Sequence, residues 1–195
     1  MPKKVVVVGS GNAALSAGIA ALEKGADVVI YEKADKKMAG GNTKYTAGAM
    51  RFSYENGDQL IDLLKHPDDK RIKDTDFGTY TNEKFSLDLL NFNDGRPLSP
   101  EQNILVSKSF ETIQWLASHN VKFEPIYSRQ SFLKNGKYIF WGGLTLASEN
   151  EGVGLFDQEL AAFLSLGGKI HYNSPVTKLI YQNNKVSGVL VDNKG

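Results

Sequence analysis

The 195-residue sequence has no cysteine. Disulfides, thiolate catalysis and cysteine-ligated metal sites are thereby excluded, and a reducing cytoplasm is the default compartment. Histidine is scarce: His66, His119 and His171 are the only three, and their spacing fits no metal-ligand pattern, so no metal is expected. Long apolar runs are missing, so no membrane span is expected. The run Val5–Val8 is cut by Gly9, too early for the apolar core of a signal peptide. An excess of either charge is missing too. The 23 Lys and Arg stand against 22 Asp and Glu and are spread along the chain, which leaves no footprint for nucleic acid or an anionic membrane. There is no internal repeat and no low-complexity linker.

What is present begins with strand–helix–strand patterning. Val5–Val8 is a β-branched run, as a buried parallel strand requires, and Gly9–Gly11 breaks it. Ala13 to Lys24 reads as a helix with Leu15, Ile19 and Leu22 on one face and Gly25 as its stop. Asp27–Glu32 is a second strand. The unit has the size of a right-handed parallel crossover. Residues 53–139 are richer in charge and helix signals. Thr81 can cap a helix running to about Phe92. Ser99-Pro100-Glu101-Gln102 supplies an N-cap, a first-turn proline and a capping-box glutamine for a helix that ends near Asn120. Its apolar face is Val106, Phe110, Ile113 and Ala117. Asn135-Gly136 predicts a tight hairpin. From Gly142 the α/β character returns, with a helix over 152–166 and strands at 169–172, 176–182 and 186–191, the last two joined across Asn183-Asn184. The end at Gly195, directly after a strand, is abrupt.

Gly9-Ser10-Gly11-Asn12-Ala13-Ala14 follows the G-x-G-x-x-G/A pattern. The first glycine turns the chain out of the strand, the second admits a phosphate to the helix N-terminus, and small Ala14 lets helix and strand pack. A glycine-rich turn alone is compatible with a purely structural role. Its context adds Glu32, at the end of the next strand and 21 residues beyond Gly11, where a carboxylate can accept hydrogen bonds from a ribose diol. Strand, turn, helix and acid together predict a dinucleotide site. The following stretch, Ala39–Arg51 (AGGNTKYTAGAMR), carries bare backbone and small polar groups. A surface loop tolerates that composition, and a loop laid along a polar ligand needs it. An NAD-dependent Rossmann enzyme is compatible with Glu32, but this loop and the later strand meander argue against it.

The turn GSGNAAL, the strand end YEK, GGNTKYTAGAMRF, WLASHNVKFEP, and FWGGL followed by KIHYNSPVTKLIYQNNKVSGV together resemble the flavoprotein subunits of the fumarate reductase and succinate dehydrogenase family, most of all its tricarballylate dehydrogenase branch. The resemblance implies an α/β, Rossmann-like FAD-binding domain over 1–52 and 140–195, made of a parallel sheet plus a β-meander. It further implies an inserted, mostly helical segment over 53–139, and a fold left incomplete at the C-terminus, with the capping and substrate domain absent.

By the same resemblance, Gly9, Ser10, Gly11 and Ala14 would surround the FAD pyrophosphate, with Asn12 and Ala13 in the same turn, and Glu32 with Lys33 would meet the adenosine ribose. Gly40, Gly41, Asn42, Thr43 and the Ala47-Gly48-Ala49 turn would line the flavin and ribityl end, and Val176 would offer backbone atoms to adenine. Covalent members carry a histidine where this chain has Asn42, so the FAD is expected to be non-covalent. The implied reaction is hydride transfer between a polycarboxylate such as tricarballylate or fumarate and the flavin, with an electron-acceptor protein as a further partner and the catalytic residues outside this chain. Two alternatives stand beside it: a 3-ketosteroid dehydrogenase-like flavoenzyme, and an inactive truncated nucleotide-binding fragment. Arg51 and Arg129 are candidates for substrate carboxylates, and Trp141, beside two glycines, for packing near the cofactor. His119 and His66 read as helix-end residues, His171 as strand packing or surface, and Trp115 as partly buried core.

Overall fold

The computed structural model describes residues 2–192, so the chain end at Gly195 lies outside the described residues. The chain divides into two compact units, 1–46 with 152–195, and 47–151.

In the first unit, strand β1 (Lys4–Val8) leads through Gly9–Gly11 into helix α1 (Asn12–Glu23), and strand β2 (Asp27–Tyr31) returns parallel to β1. The turn succeeds because Gly9 adopts φ 89°, a left-handed conformation that costs a residue with a Cβ. Gly25, at φ 77°, stops α1 as expected. Strand Lys169–His171 adds parallel to the other side of β2, giving the order β1, β2, Lys169–His171. Strands Val176–Gln182 and Lys185–Val191 pair antiparallel as a separate hairpin turned at Asn183 and Asn184, both with positive φ. The core lies between the sheet and two helices: Leu15 and Ile19 of α1, Val28 and Ile30 of β2, and Phe163 of helix Glu151–Ser165 are buried. Gly18 lets that second helix approach, since a Cβ there would lie 2.8 Å from the Phe163 ring. β1 sits at the sheet edge with Val6 and Val8 exposed.

In the second unit, Thr81 caps helix Asn82–Phe92 by accepting from the Lys84 N–H. Helix Pro100–Ser118 opens on a complete capping box, Ser99 with Gln102, and ends on His119. Its buried stripe is Val106, Ser109, Ile113 and Leu116, the spacing that one helix face predicts. Strands Ser131–Lys134 and Lys137–Phe140 form the hairpin expected at Asn135-Gly136, and Thr75–Asp76 pairs parallel to the second of them. Three short strands, Ala49–Met50, Leu146–Ser148 and Phe123–Pro125, make an antiparallel sheet in that order.

Candidate functional site

The first unit gathers the sequence-predicted residues from four segments onto one cleft of about 280 Å³. It is lined by Gly9, Ser10 and Gly11 of the turn, Glu32 and Lys33 after β2, Gly41, and Pro175 with Val176. Local hydrogen bonds explain why these segments meet. Glu32 donates its backbone N–H to His171 and accepts from the Ser174 N–H through its carbonyl, which brings Pro175 and Val176 alongside.

Ser10 is the buried tie. Its hydroxyl donates to Glu32 Oε2 at 2.6 Å and accepts from the Gly40 N–H at 3.0 Å. The other carboxylate oxygen of Glu32 accepts from the Ala34 N–H at 2.8 Å. Glu32 is therefore fixed in orientation, yet each oxygen retains acceptor capacity for a further donor.

The Ala39–Arg51 loop begins against the same turn. The Asn12 N–H donates to Thr43 Oγ1 at 2.9 Å. A Cβ on Gly11 would lie 3.2 Å from that hydroxyl and 3.4 Å from the Gly40 carbonyl, so Gly11 permits the close approach. Thus part of the loop's glycine and hydroxyl content serves protein–protein contact between loop and turn. Gly41–Tyr45 forms a short 3-10 turn on which Asn42 is exposed. The N–H groups of Gly11 and Ala13 meet no protein acceptor among the described residues, and no atom lies within 4 Å of where a Gly9 Cβ would project. Open space, unpartnered N–H groups and the positive end of α1 are what a bound diphosphate requires.

Ala47, Gly48 and Ala49 belong to the second unit, where Gly48 adopts φ 64° and its carbonyl accepts from the Ser148 N–H at 2.9 Å. In the same unit the Arg51 guanidinium donates to the Tyr80 hydroxyl at 2.9 Å, and that hydroxyl donates to Asp88 at 2.7 Å. Burial, with the Asp88 hydrogen bond, pushes Tyr80 up to about 12. Arg129 is paired with Glu151 at 2.6 Å. Both candidate arginines already have carboxylate partners. Trp141 is 64 % exposed and packs on Phe132. His119 caps its helix against Trp115, and His171 stacks on Tyr31. His66 lies in a loop after Leu64 rather than at the end of a helix, because the chain there forms a short bridge to Phe123.

Sequence reasoning missed Glu159. It is fully buried in helix Glu151–Ser165 and held by Ser16 Oγ at 2.9 Å, and burial pushes its carboxyl up to about 7 against that hydrogen bond. Its signal was available: Glu159 occupies the apolar period set by Leu155, Ala162 and Phe163.

The parallel sheet, the glycine turn and the acid at the end of β2 define a dinucleotide-binding α/β protein. The FAD binding domain family model matches residues 4–195, and the chain belongs to that family. Its cofactor is FAD, and the open helix N-terminus and the acid-flanked cleft fit the adenosine diphosphate half of that molecule. Over 46 residues the chain is 54% identical to digoxin reductase of Eggerthella lenta, a match covering 24% of this chain and 8% of that one. Over 64 residues it is 39% identical to the cytochrome fumarate reductase of Shewanella frigidimarina, covering 33% and 11%. Among solved structures, a 3-ketosteroid-Δ4-(5α)-dehydrogenase of Rhodococcus jostii superposes with a TM-score of 0.68 at 17% identity, over 99% of this chain and 43% of that one. A flavocytochrome c3 fumarate reductase superposes at 0.65 with 24% identity, over 97% and 30%. These superpositions show the fold. The chain spans less than half the length of these two solved structures. Among the described residues no helix is long and apolar enough to cross a membrane.

Proposed function

We propose that this chain is the FAD-holding part of an oxidoreductase that acts on CH–CH groups of a small polycarboxylate, fumarate or tricarballylate, with dissociable FAD. The carrying observation is the single cleft that joins Gly9–Gly11, Glu32, Lys33, Gly41, Pro175 and Val176. In this reading the Gly11 and Ala13 N–H groups hold the pyrophosphate, Glu32 accepts from the adenosine ribose, and Val176 flanks the adenine. Gly40, Gly41, Asn42, Thr43 and the Ala47–Ala49 turn serve the flavin end. FAD, when bound, supplies hydride acceptance and donation at carbon. The chain's own residues bind and orient it, and Asn42 offers no nucleophile for covalent attachment. The identity to a fumarate reductase supports the polycarboxylate class. The absence of cysteine supports a cytoplasmic setting.

A second reading, reduction or dehydrogenation of a steroid-like substrate, is favoured by the short, stronger identity to digoxin reductase. The two are separated by supplying the FAD-loaded whole oxidoreductase that contains this chain with a reduced viologen and either fumarate or a 3-ketosteroid, and with an oxidised dye and tricarballylate. Fumarate- or tricarballylate-dependent dye turnover supports the first reading, and turnover with the ketosteroid alone replaces it. Acid precipitation of the loaded protein should leave all flavin in the supernatant; flavin in the pellet would refute dissociable binding.

A further inference from the structure

The buried cluster beneath the nucleotide turn has a property that binding alone does not use. Glu159 is fully buried, and its carboxyl meets Ser16 and Asn12 of α1. Ser16 Oγ donates at 2.9 Å, and the Asn12 amide lies 2.9 and 3.1 Å from the two carboxyl oxygens. Asn12 is the first residue of α1, inside the glycine turn itself.

Among the described residues, no cation pairs with this carboxylate. Between Asn12 and Leu22, α1 has no ionisable side chain. On its own helix, Asp157 faces solvent. From the Gly41–Tyr45 turn, Lys44 lies 5.2 Å from the Phe156 ring centre, and Glu32 is engaged by Ser10 and Ala34. The neighbouring strand presents Val28 and Ile30. Among the described residues, no ionisable group contributes to the titration of Glu159. Burial alone drives it up, to about 7, with Ser16 opposing.

The Asn12 amide has two edges, and the state of Glu159 decides which one faces it. An ionised carboxylate accepts only, so it requires the amide N–H2, which then also reaches Ser16 Oγ at 3.2 Å. The amide oxygen is then the edge turned away. A protonated Glu159 has a hydrogen to donate, so the amide oxygen turns inward, accepting from the acid and from Ser16 Oγ at 3.2 Å. The N–H2 edge is then the one turned away from Glu159, on the residue that opens α1.

We infer that Glu159 is a positioning residue for the FAD site: its protonation turns the Asn12 amide donor toward the helix N-terminus and strengthens FAD binding, and its ionisation reverses the amide and weakens binding. Two effects act in the same direction. The outward donor attracts phosphate, and loss of the Glu159 charge removes repulsion of a dianionic pyrophosphate. By linkage, FAD binding takes up a proton. The inference rests on the FAD reading of the turn.

The test has two readouts on the whole chain. Without FAD, the Asn12 side-chain amide resonances should move with pH around the Glu159 midpoint, stay flat in Glu159→Gln, and move at a higher midpoint in Ser16→Ala, which removes a donor to the carboxylate. With FAD, affinity followed by flavin fluorescence should weaken about tenfold from about pH 5.5 to 8.5, and by less than about twofold in Glu159→Gln. Flat Asn12 resonances in the wild-type chain overturn the inference whatever FAD does. A titrating Asn12 with pH-independent FAD affinity also overturns it. A titrating Asn12 with no flavin binding at any pH counts against the FAD reading of this chain, and the inference falls with it.

Discussion

Removing one hydroxyl should loosen the whole cofactor cleft. Ser10→Ala deletes the donor to Glu32 Oε2 and the acceptor of the Gly40 N–H, at a site where Ser10 is 1 % and Glu32 5 % exposed. The alanine methyl satisfies neither group, and among the described residues no other side chain hydrogen-bonds to Glu32. A buried group left without its partner costs about 1–3 kcal/mol, more when it is charged, so the two losses together should destabilise by about 2–4 kcal/mol. Urea denaturation at neutral pH would measure it, with an unchanged m-value required for the comparison. Ser187→Ala, on the exposed face of the hairpin, is the control and should cost less than about 0.5 kcal/mol. The substitution should also weaken FAD binding, because the oriented carboxylate and the Gly40 segment are released together. A loss below about 0.5 kcal/mol for Ser10→Ala would refute the view that this hydroxyl ties the turn, the acid and the loop into one cleft.

Glu159→Gln should stabilise the protein at high pH. The folded-state value of about 7 stands above the ordinary 4.5, so the unfolded chain ionises first and stability falls between those two pH values. The gap corresponds to about 3 kcal/mol at 1.36 kcal/mol per unit, so the glutamine variant should gain roughly that much above pH 7 and nothing below pH 4.5; thermal melts across pH check it. Gly18→Ala places a Cβ 2.8 Å from the Phe163 ring, which must shift, so a loss of about 1–3 kcal/mol is expected in denaturant melts. Ser99→Ala breaks a complete capping box and should cost about 1 kcal/mol, seen as earlier loss of helical circular dichroism on heating.

Much of the fold can be read from residues that act locally. The β-branched run, Gly9 and the distance to Glu32 locate β1, α1 and β2, because each signal depends only on neighbours in sequence. Ser99-Pro100-Glu101-Gln102 and Asn135-Gly136 mark their helix and hairpin for the same reason. What escapes is what depends on distant segments. Lys169–His171 is expected as a strand, but its place beside β2 in the parallel sheet depends on a segment over a hundred residues away. Ala49–Met50, Phe123–Pro125 and Leu146–Ser148 become a sheet only when brought together from across a hundred residues. The cleft residues are legible as types at the right spacing, but the Ser10 bridge between Glu32 and Gly40 is not, since nothing in the sequence links a serine hydroxyl to an N–H thirty residues away. Nor does the sequence pair Glu159 with Asn12 and Ser16: its place in the apolar stripe marks it as buried, but its partners lie on a helix more than a hundred residues away.

The central claim is that the Gly9–Ala14 turn and Glu32 form a working FAD site. Titration of FAD into the chain, followed by flavin fluorescence and compared with Glu32→Gln, tests it most directly. The account predicts saturable binding of one FAD per chain, weakened about tenfold when the glutamine removes the charged acceptor for the ribose. A folded chain that leaves the flavin signal unchanged, or binds it equally well with Glu32→Gln, would contradict the account.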